Sequence, residues 1–367
     1  MDSPESASPL RLGVIGCGRV FERFHLPAID RTPGVRLVAA CDPEPARLAW
    51  AAGRRPQPIL TDCSADLLSL ATVDAVLILT PPVSHAELTV RALEAGIAVL
   101  VEKPMALSVE EGSRMAAAAL AAGRPVQVGL TRRFREPYRR LHATLQAVDR
   151  RDWRGLHFEL AFPTGGWQAH TDFLGDDRRG GGVLDDVLSH QVDLLCWLLG
   201  SGPDAVRATA GASGPLRVEL RFGELTAVCT AAHGPYAERL IVELADGRLL
   251  EASGSRMDTT GPGFPAWRRQ RALLLDRVAL VRGRLGRRPG VTHVSFSRQL
   301  EDFARAVQGG ATIGATVQDG VRGLLILEAC RESVDRSGEW REVPALTRAA
   351  RAPSPPTGRL SEPPIAG

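Results

Sequence analysis

Residues 10–130 alternate short apolar runs with stretches of helical periodicity, and this alternation constrains the fold more than any other feature of the chain. The apolar runs are RLGVI, VRLVAAC, DAVLIL, IAVLV and PVQVGL. Helical stretches such as SHAELTVRALEAG and VEEGSRMAAAALAAG lie between them and end in glycine. Short strands separated by helices pair in parallel through right-handed crossovers. The sequence therefore predicts a doubly wound α/β domain with a parallel sheet over residues 10–131.

A different pattern begins near residue 150. The stretches LHFELAF, LRVELRF, LTAVCTAAH, RLIVEL and GRLLEAS alternate apolar and polar residues with a period of two. Such alternation is typical of a largely antiparallel sheet with one covered face. Two long helical patterns, near 296–309 and 317–335, and a short WREV strand complete the region. We therefore predict a second, α+β domain over residues 132–345.

The length and the two ends of the chain fit this division. A chain of 367 residues is longer than one ordinary domain, and its length favours about two. The 44% apolar and 24% charged content is ordinary for a protein with a substantial core. Residues 1–9 and 346–367 are rich in Pro, Ser and Arg without periodicity, so we predict disordered tails there.

Several features favour a cytoplasmic location. The six cysteines are scattered without a C-x-x-C pair, which is typical of reduced thiols rather than of disulfides or a zinc site. The N-terminus is polar and acidic and lacks the apolar core of a signal peptide. No apolar run approaches the roughly 18 residues that span a bilayer. A net charge of +3 is too small to indicate nucleic acid or membrane partners. We therefore expect a soluble cytoplasmic protein.

A glycine turn at the end of the first predicted strand indicates a dinucleotide site. Gly16, Cys17 and Gly18 match the start of the pattern G-x-G-x-x-G/A, in which backbone amides approach a pyrophosphate. The third position holds Phe21 in place of Gly or Ala. Asp42 ends the second strand, near the usual position of a carboxylate that accepts from a ribose 2′-hydroxyl. Because that carboxylate would repel a 2′-phosphate, we predict NAD rather than NADP.

The alternative is a glycine turn in an α/β domain that binds no cofactor, and its strongest support is Phe21, whose ring would crowd the helix–strand contact. Later strands end in residues that favour a cofactor. The stretches Thr80-Pro81-Pro82 and Glu102-Lys103-Pro104 follow strands at the edge where open α/β sheets bind ligands. The predicted dinucleotide site comprises Gly16, Cys17, Gly18, Arg19, Val20, Asp42, Thr80, Pro81, His85, Glu102 and Lys103.

Lys103 is the only lysine of the chain, since the other 44 of its 45 basic residues are arginines. An ammonium can turn three donors onto one oxygen atom, whereas a guanidinium presents a flat fork suited to carboxylate or phosphate. We therefore interpret Lys103 as a functional residue in the same crevice as the nicotinamide end of the dinucleotide. The alternative is that Lys103 has no functional role and is a lysine by chance in an arginine-rich chain.

A second group of chemically active residues lies in GGGVLDDVLSHQVDLLCWLLG, residues 180–200. Asp186, His190, Asp193 and Trp197 fall on one stripe of the predicted helix. A carboxylate one turn before a histidine can fix its tautomer and orientation, so Asp186 would make His190 a general base near neutral pH. Two alternatives stay open: a histidine with a structural hydrogen bond, and a metal site formed by Asp186, His190 and Asp193. No further ligand cluster supports a metal, and we predict none.

Together these motifs resemble the glucose–fructose oxidoreductase / inositol dehydrogenase (Gfo/Idh/MocA) family. The shared order is the glycine turn, the aspartate after the second strand, TPP with a histidine, EKP, VGLTRRF, GGGVLDDVLSH and QLEDFARAVQGG, within residues 10–343. The resemblance implies a Rossmann domain, a second domain whose open mixed sheet often mediates oligomerisation, and oxidation or reduction of a sugar, cyclitol or related polyol. It implies that Lys103 is the EKP lysine, His190 the catalytic histidine and Asp186 the acid one turn earlier. Phe21 and Leu188, where a small residue is usual, depart from the pattern.

We therefore predict an NAD(P)-dependent dehydrogenase that transfers hydride between nicotinamide and a secondary alcohol of a sugar, cyclitol or nucleotide-sugar. His190 would take the hydroxyl proton while Asp186 holds its ring, and Lys103 would stabilise the charge that develops on the oxygen. We expect a homodimer or homotetramer. The predicted substrate contacts are Lys103, Arg133, Trp167, Asp186 and His190, with Gln168 and His170 beside them in the loop FPTGGWQAH.

Two features leave other functions open. Eight arginines against one acid lie in residues 268–288, above an apolar stripe. This segment is either a solvated basic helix face or a contact for an anionic partner, such as a nucleotide-linked sugar, an acidic subunit or a membrane surface; nucleic acid is the weakest of these. The departures at Phe21 and Leu188 leave room for a dinucleotide-sensing regulatory or scaffold protein of the same fold. A lyase or glycosidase that uses transient oxidation by NAD is the third alternative.

Overall fold

The computed structural model of the protein describes residues 8–163, 182–210, 214–254, 256–260 and 291–346. These residues form two sheets with helices packed against them. The strands are β1 (Leu10–Ile15), β2 (Val35–Cys41), β3 (Ile59–Thr61), β4 (Ala75–Ile78), β5 (Ala98–Val101), β6 (Val126–Val128), β7 (Trp153–Phe162), β8 (Ala205–Ala210), β9 (Leu216–Phe222), β10 (Leu225–His233), β11 (Ala237–Leu244), β12 (Leu249–Ser253), β13 (Arg256–Thr260), β14 (Ala315–Thr316) and β15 (Arg341–Glu342).

The α-helices are α1 (Leu26–Ile29), α2 (Pro45–Ala52), α3 (Ser64–Leu68), α4 (His85–Glu94), α5 (Val109–Ala122), α6 (Glu136–Leu145), α7 (Ser189–Leu199), α8 (Val291–Val307) and α9 (Val317–Asp335). Two π-helical turns, Phe21–His25 and Leu184–Leu188, lead directly into α1 and α7. Short 3₁₀ turns cover Pro82–Ser84, Thr131–Phe134 and Arg150–Asp152. None of the helices within the described ranges is long and apolar enough to cross a membrane.

The first sheet has the strand order β3-β2-β1-β4-β5-β6, all parallel, and β14 pairs antiparallel with β6. This is the order of a Rossmann fold, so the predicted doubly wound domain is confirmed. Its strands are buried on both faces, as every residue of β4 and β5 shows. Strands β3 and β14 were not predicted, because segments of three and two residues are too short to show a period.

The second sheet has the order β13-β12-β11-β7-β10-β9-β8-β15. Its neighbours are antiparallel except β7 and β10, which are parallel. Side chains alternate between buried and more exposed along β9, β10 and β11, so one face lies on the core and the other is open. The prediction of a largely antiparallel mixed sheet is therefore confirmed. The domain boundaries at 131/132 and 345/346 stay a prediction.

Helix α9 joins the two cores. It begins with a capping box at Thr316, which explains why the helix starts there. Val321 and Leu324 pack in the core of the first sheet, whereas Leu327 and Cys330 pack in the core of the second. Because one helix belongs to both cores, side-chain packing fixes how the two sheets lie relative to each other.

Gly320 lies where α9 crosses the turn that follows Lys103. A Cβ at this position would lie 2.1 Å from Sδ of Met105, so only glycine lets the helix pack so closely. The packing of α9 therefore supports the turn that carries Lys103.

The ring of Phe21 lies in the core and does not fill the crevice. Phe21 is 0% exposed and belongs to the apolar cluster on one face of the first sheet. Leu300 and Phe303 of α8 belong to the same cluster. The π-helical turn that begins at Phe21 changes the path of the helix at this point. Leu188, the other departure from the family pattern, is likewise 0% exposed and lies in the core of the second sheet.

We predict that Phe21→Ala destabilises the protein even though it restores the small residue of the glycine motif. Removing a fully buried aromatic ring typically costs about 3–5 kcal/mol. Urea unfolding followed by circular dichroism measures the change. The matched control is Leu120→Ala, which removes a side chain that is 58% exposed and should change the free energy of unfolding by less than about 0.5 kcal/mol. A cost below about 1 kcal/mol for Phe21→Ala would contradict the core position of the ring.

Candidate active site

The two sheets meet where Lys103 faces Asp186. Lys103 lies two residues after β5, at the carboxyl end of the first sheet, and Asp186 lies in the π-helical turn before α7. The ammonium of Lys103 donates to Oδ1 of Asp186 over 2.5 Å and lies 3.2 Å from the Asp186 carbonyl oxygen. The side chains are 20% and 17% exposed, so solvent or a ligand can reach the pair. Two of the predicted catalytic residues are thus brought together.

Glu102 and His25 support Lys103 from behind. Oε1 of Glu102 lies 2.9 Å from Nε2 of His25, and Oε2 accepts the backbone amide of Lys103 over 3.0 Å. Burial raises the pKa of Glu102, but the hydrogen bond with His25 and the charges of His25 and Lys103 bring it below its ordinary value. A Cβ at Gly129 would lie 2.9 Å from Cδ of Glu102, so glycine makes room for this carboxylate. Glu102 therefore holds the backbone that carries the ammonium.

His85 has a positioning role. It is 1% exposed, and its Nδ1 and Nε2 each lie 2.8 Å from a backbone carbonyl oxygen, those of Pro104 and Thr80. The ring therefore ties the segment after β4 to the segment after Lys103. It shapes the predicted dinucleotide site from within the protein.

Asp186 does not orient His190, contrary to the prediction. Its Oδ2 lies 3.2 Å from Nε2 of His233, and its Oδ1 faces Lys103. The prediction assumed α-helical spacing between Asp186 and His190. Residues Leu184–Leu188 instead form a π-helical turn, in which each residue rotates less about the axis. The carboxylate of Asp186 is directed at Lys103 and His233, and the described residues show no hydrogen bond between it and His190.

His190 is a buried, neutral imidazole. It is 7% exposed, and its ring meets Phe162 edge-on with 5.9 Å between the ring centroids. Burial, followed by the charges of Arg132 and Lys103, holds the pKa of His190 well below its ordinary value. Its Nδ1 is buried and has no hydrogen-bond partner among the described residues. A neutral imidazole keeps one unprotonated ring nitrogen, and such a nitrogen can accept a proton from an alcohol.

Arg133 lies in a buried ion network, so its prediction as a substrate contact is wrong. Its Nε lies 3.1 Å from both carboxylate oxygens of Asp193, and its Nη2 donates to Oδ1 over 2.5 Å. Its Nη1 donates to Asp319 and to the carbonyl of Ile313, each over 3.3 Å. Arg133 is only 4% exposed. These bonds occupy both carboxylate oxygens of Asp193. They argue against the alternative in which Asp186, His190 and Asp193 bind a metal.

Arg132 lies nearer to the site than Arg133. Its guanidinium carbon lies 4.8 Å from the centroid of the Phe162 ring, and its Nε donates to Glu238 over 3.2 Å. It is also the strongest nearby charge that lowers the pKa of His190. The sequence could not distinguish these neighbours, because it does not show that Arg132 pairs with Glu238 and Arg133 with Asp193.

Glu238 is the centre of a buried network that the sequence analysis missed. It accepts hydrogen bonds from Arg132, Arg135, Tyr138 and Tyr236. Burial raises its pKa, but the two arginines lower it to about 2. A signal existed in the sequence, because Glu238 has the same strand phase as the buried Leu240 and Val242. A carboxylate in the apolar phase of a strand needs buried cationic or hydroxyl partners.

The glycine turn after β1 forms an open cradle. Gly16 has a φ of +96°, and a Cβ there would lie 2.8 Å from the carbonyl carbon of Leu79, so the fold itself requires glycine. A Cβ at Gly18 would meet no atom within 4 Å. The fold does not need glycine at that second position, and the space beside it is open to a ligand. This fits a pyrophosphate that approaches the backbone closely.

Asp42 fixes the cradle. Its Oδ2 accepts the amide of Cys17 over 2.8 Å, its Oδ1 accepts the amide of Glu44 over 2.9 Å, and it is 2% exposed. The predicted contact of Asp42 with a ribose stays a prediction. Nη1 of Arg47 lies 3.8 Å from Oδ1 of Asp42, and the Arg47 side chain is 51% exposed. Its positive charge opposes the repulsion that Asp42 would exert on a 2′-phosphate.

Other predicted contacts differ in how far they reach the surface. Trp167, with Gln168 and His170, and the basic segment 268–288 lie outside the described residues. The predicted cofactor contacts that are at least partly exposed are Gly18, Arg19, Val20, Thr80, Pro81, Glu102 and Lys103. The buried ones are Gly16, Cys17, Asp42 and His85.

Family models match both halves of the chain. One, described as an oxidoreductase family with an NAD-binding Rossmann fold, matches residues 10–130, and the GFO/IDH/MocA C-terminal domain matches residues 138–232. The chain is 28% identical over 331 residues to the rhizopine catabolism protein MocA of Rhizobium meliloti, which covers 89% of this chain and 95% of that protein. It is 27% identical over 345 residues to inositol 2-dehydrogenase of Rhizobium meliloti (strain 1021). This match covers 89% of this chain and 97% of that protein.

The fold is also similar to a solved structure of the WlbA dehydrogenase from Bordetella pertussis, crystallised in complex with NADH and UDP-GlcNAcA. The TM-score is 0.76 at 21% identity, with 93% of this chain and 100% of that chain covered. At this identity the likeness supports the fold.

We predict that alanine has different effects at the two glycines of the cradle. Gly16→Ala should destabilise the protein by about 1–3 kcal/mol, because its positive φ and its contact with Leu79 both exclude a side chain. Gly18→Ala should leave the urea midpoint unchanged but weaken NADH binding at least about tenfold, equivalent to about 1.4 kcal/mol. Urea unfolding and fluorescence titration with NADH measure the two effects. An unchanged NADH affinity in Gly18→Ala would contradict the cradle.

The neutral state of His190 predicts a loss of stability in mild acid. Its folded pKa lies below the unfolded value of about 6.5, so below that pH the unfolded chain binds a proton that the folded chain does not. The free energy of unfolding should fall by up to about 1.4 kcal/mol per pH unit from this residue. His190→Gln should therefore lose less stability than the wild type between about pH 7 and pH 5.5.

The measurement is urea unfolding at several pH values in that window. Burial also lowers the pKa of His85, but this residue contributes equally to both proteins. The control is His157→Gln, which changes a side chain that is 52% exposed and should follow the wild type. Parallel curves for the wild type and His190→Gln would show that His190 is not held neutral.

Proposed function

The chain belongs to the Gfo/Idh/MocA oxidoreductase family, and we propose that it transfers hydride between a nicotinamide dinucleotide and a secondary alcohol of a sugar, a cyclitol or a nucleotide-sugar. The observation that carries this proposal is the arrangement of an ammonium and a neutral imidazole at the boundary between the two sheets. Lys103 comes from the carboxyl end of the parallel sheet, and His190 follows Asp186 in the second half. The similarity to an inositol 2-dehydrogenase supports the substrate class.

The cradle and the neighbouring strand ends fit a dinucleotide. Gly18, Arg19 and Val20 would hold its pyrophosphate, and Thr80 would contact it at the next strand end. When bound, the nicotinamide supplies the hydride acceptor in oxidation or the hydride donor in reduction. We propose NAD as the preferred cofactor and NADP as the less favoured one, because Asp42 follows β2 beside the cradle.

Lys103 and His190 have different roles at the alcohol oxygen. In oxidation, a ring nitrogen of His190 takes the hydroxyl proton. Lys103 donates a hydrogen bond to the same oxygen and stabilises its developing negative charge, which is typically worth about 3–4 kcal/mol for one such donor. In reduction the same proton moves back from His190 to the oxygen.

Asp186 keeps the ammonium of Lys103 in place. Burial would raise the pKa of Asp186, but the charge of Lys103 and the hydrogen bonds from His233 and Lys103 hold it well below its ordinary value. The carboxylate is therefore ionised at neutral pH. We therefore propose that Asp186 positions Lys103 and not His190. This revises the role that the sequence predicted for Asp186.

We propose that the substrate lies against Phe162 and Tyr236. The rings of Phe162 and Tyr236 stack with 6.5 Å between centroids, and Tyr236 is 55% exposed. Such rings suit the apolar face of a sugar or cyclitol. Trp167, which lies outside the described residues, stays a proposed contact.

We propose a homo-oligomer, either a dimer or a tetramer, that forms through the open face of the second sheet. The outward side chains of β9 and β11 are exposed or partly exposed along their whole length. All six cysteines are free, which supports the proposed cytoplasmic location.

The other functions are less favoured. A regulatory protein that only senses a dinucleotide has no chemical need for a buried ammonium–carboxylate pair beside a neutral imidazole. A lyase or glycosidase with transient oxidation would consume and regenerate NAD within one turnover. Net formation of NADH therefore distinguishes a dehydrogenase from it.

We predict that Lys103→Met and His190→Ala abolish most turnover while nucleotide binding survives. A thermal-shift screen of NAD and NADP with polyols and nucleotide-sugars identifies the substrate, and NADH absorbance then gives kcat/KM. Lys103→Met should lower kcat/KM about 10²–10³-fold, and His190→Ala about 10²–10⁴-fold. The matched control is Arg91→Met, which removes a surface cation that is 41% exposed and should change nothing. Near-normal turnover in either site variant, with unchanged melting temperature, would refute the assigned roles.

A further inference from the structure

We infer that His233 is a positioning residue of this site, which holds Asp186 and through it the ammonium of Lys103. This inference rests on the proposed function for its effect on turnover. His233 ends β10, one of the two central parallel strands of the second sheet, and pairs in register with Phe162 of β7. Three groups from separate parts of the chain thus meet: the turn after β5, the π-helical turn before α7, and the end of β10.

The two oxygens of Asp186 have different partners. Oδ1 faces the ammonium of Lys103 at 2.5 Å, and Oδ2 faces Nε2 of His233 at 3.2 Å. An ionised carboxylate only accepts hydrogen bonds, so Nε2 of His233 must carry the proton and donate it. This sets the tautomer of a neutral His233, with its proton on Nε2.

The hydrogen bond from His233 fixes the plane of the carboxylate. A carboxylate with a single partner can rotate about its Cβ–Cγ bond, and either oxygen can then face the cation. With Oδ2 held by His233, Oδ1 stays directed at Lys103. The ammonium is held at one point in the site, where it can turn a donor toward a substrate oxygen.

The two imidazoles of the site have different surroundings. His233 has a 20% exposed side chain and a carboxylate partner. His190 is 7% exposed and its Nδ1 has no partner among the described residues. The group that touches the reacting oxygen and the group that positions the ammonium are therefore separate residues.

The test compares His233→Phe with His233→Gln. Phenylalanine keeps a ring of similar size but has no donor, whereas the amide of glutamine can place a donor near the position of Nε2. The control is His157→Phe on β7, whose side chain is 52% exposed and lies away from the site. Melting temperatures of all variants show that they are folded.

The sole lysine gives a readout that does not depend on turnover. Protein labelled with ¹⁵N only in lysine has one side-chain ammonium, that of Lys103. Its hydrogen exchange, measured by NMR, reports how firmly Asp186 holds it. We expect exchange at least about tenfold faster in His233→Phe and near the wild-type rate in His233→Gln. In turnover assays, kcat should fall about 10–100-fold in His233→Phe, with the KM for the dinucleotide unchanged, and recover in His233→Gln.

Two results would overturn the inference. One is an unchanged ammonium exchange and kcat in His233→Phe. The other is an equal loss in both variants, which would mean that the packing of the ring matters and its hydrogen bond does not. A wild-type protein that turns over no alcohol with NAD or NADP, while its ammonium exchange follows the expected order, would refute the proposed function and leave the position of His233 supported.

Discussion

The ion pair between Lys103 and Asp186 is the interaction on which the rest of the site depends. Removing two charges from water costs several kcal/mol each, and the attraction between them offsets this only when further hydrogen bonds satisfy the remaining atoms. Here the ring of His233 and the carbonyl of Asp186 provide such bonds. Glu102 anchors the backbone of Lys103 from the other side. Because the partners belong to different sheets, the pair forms only when both halves are folded and packed.

The buried charges around this pair explain how a weak base can serve. The field of Arg132 and Lys103, together with burial, keeps His190 uncharged. An imidazole with a low pKa attracts protons weakly, but an ammonium on the same alcohol oxygen makes that hydroxyl more acidic. The two effects are complementary. Glu238 neutralises part of the arginine charge and so limits how far the field extends.

The sequence predicted the scaffold better than the orientation of single side chains. The alternation of apolar runs and helical segments predicted the parallel sheet. Lys103 was identified as a site residue because it is the only lysine of the chain. The partner of Asp186 was predicted wrongly, because helical periodicity shows which residues share a face but not which side chains of other elements, here Lys103 and His233, pack against that face. Arg133 was predicted as a substrate contact for the same kind of reason, since the sequence does not show which carboxylates a buried arginine pairs with. His233 escaped notice because a histidine at a strand end has no pattern of its own.

The helix shared by the two cores has a consequence for motion. Opening the boundary as a hinge would pull α9 out of one core, and exposing a buried leucine costs about 1.5–3 kcal/mol for each such side chain. Val321 and Leu324 on one side, and Leu327 on the other, would all be affected. Small sliding movements of packed helices cost far less. Substrate entry and product release should therefore rely on loop rearrangement and on small sliding movements of packed helices. The position of α9 between the two halves should stay fixed.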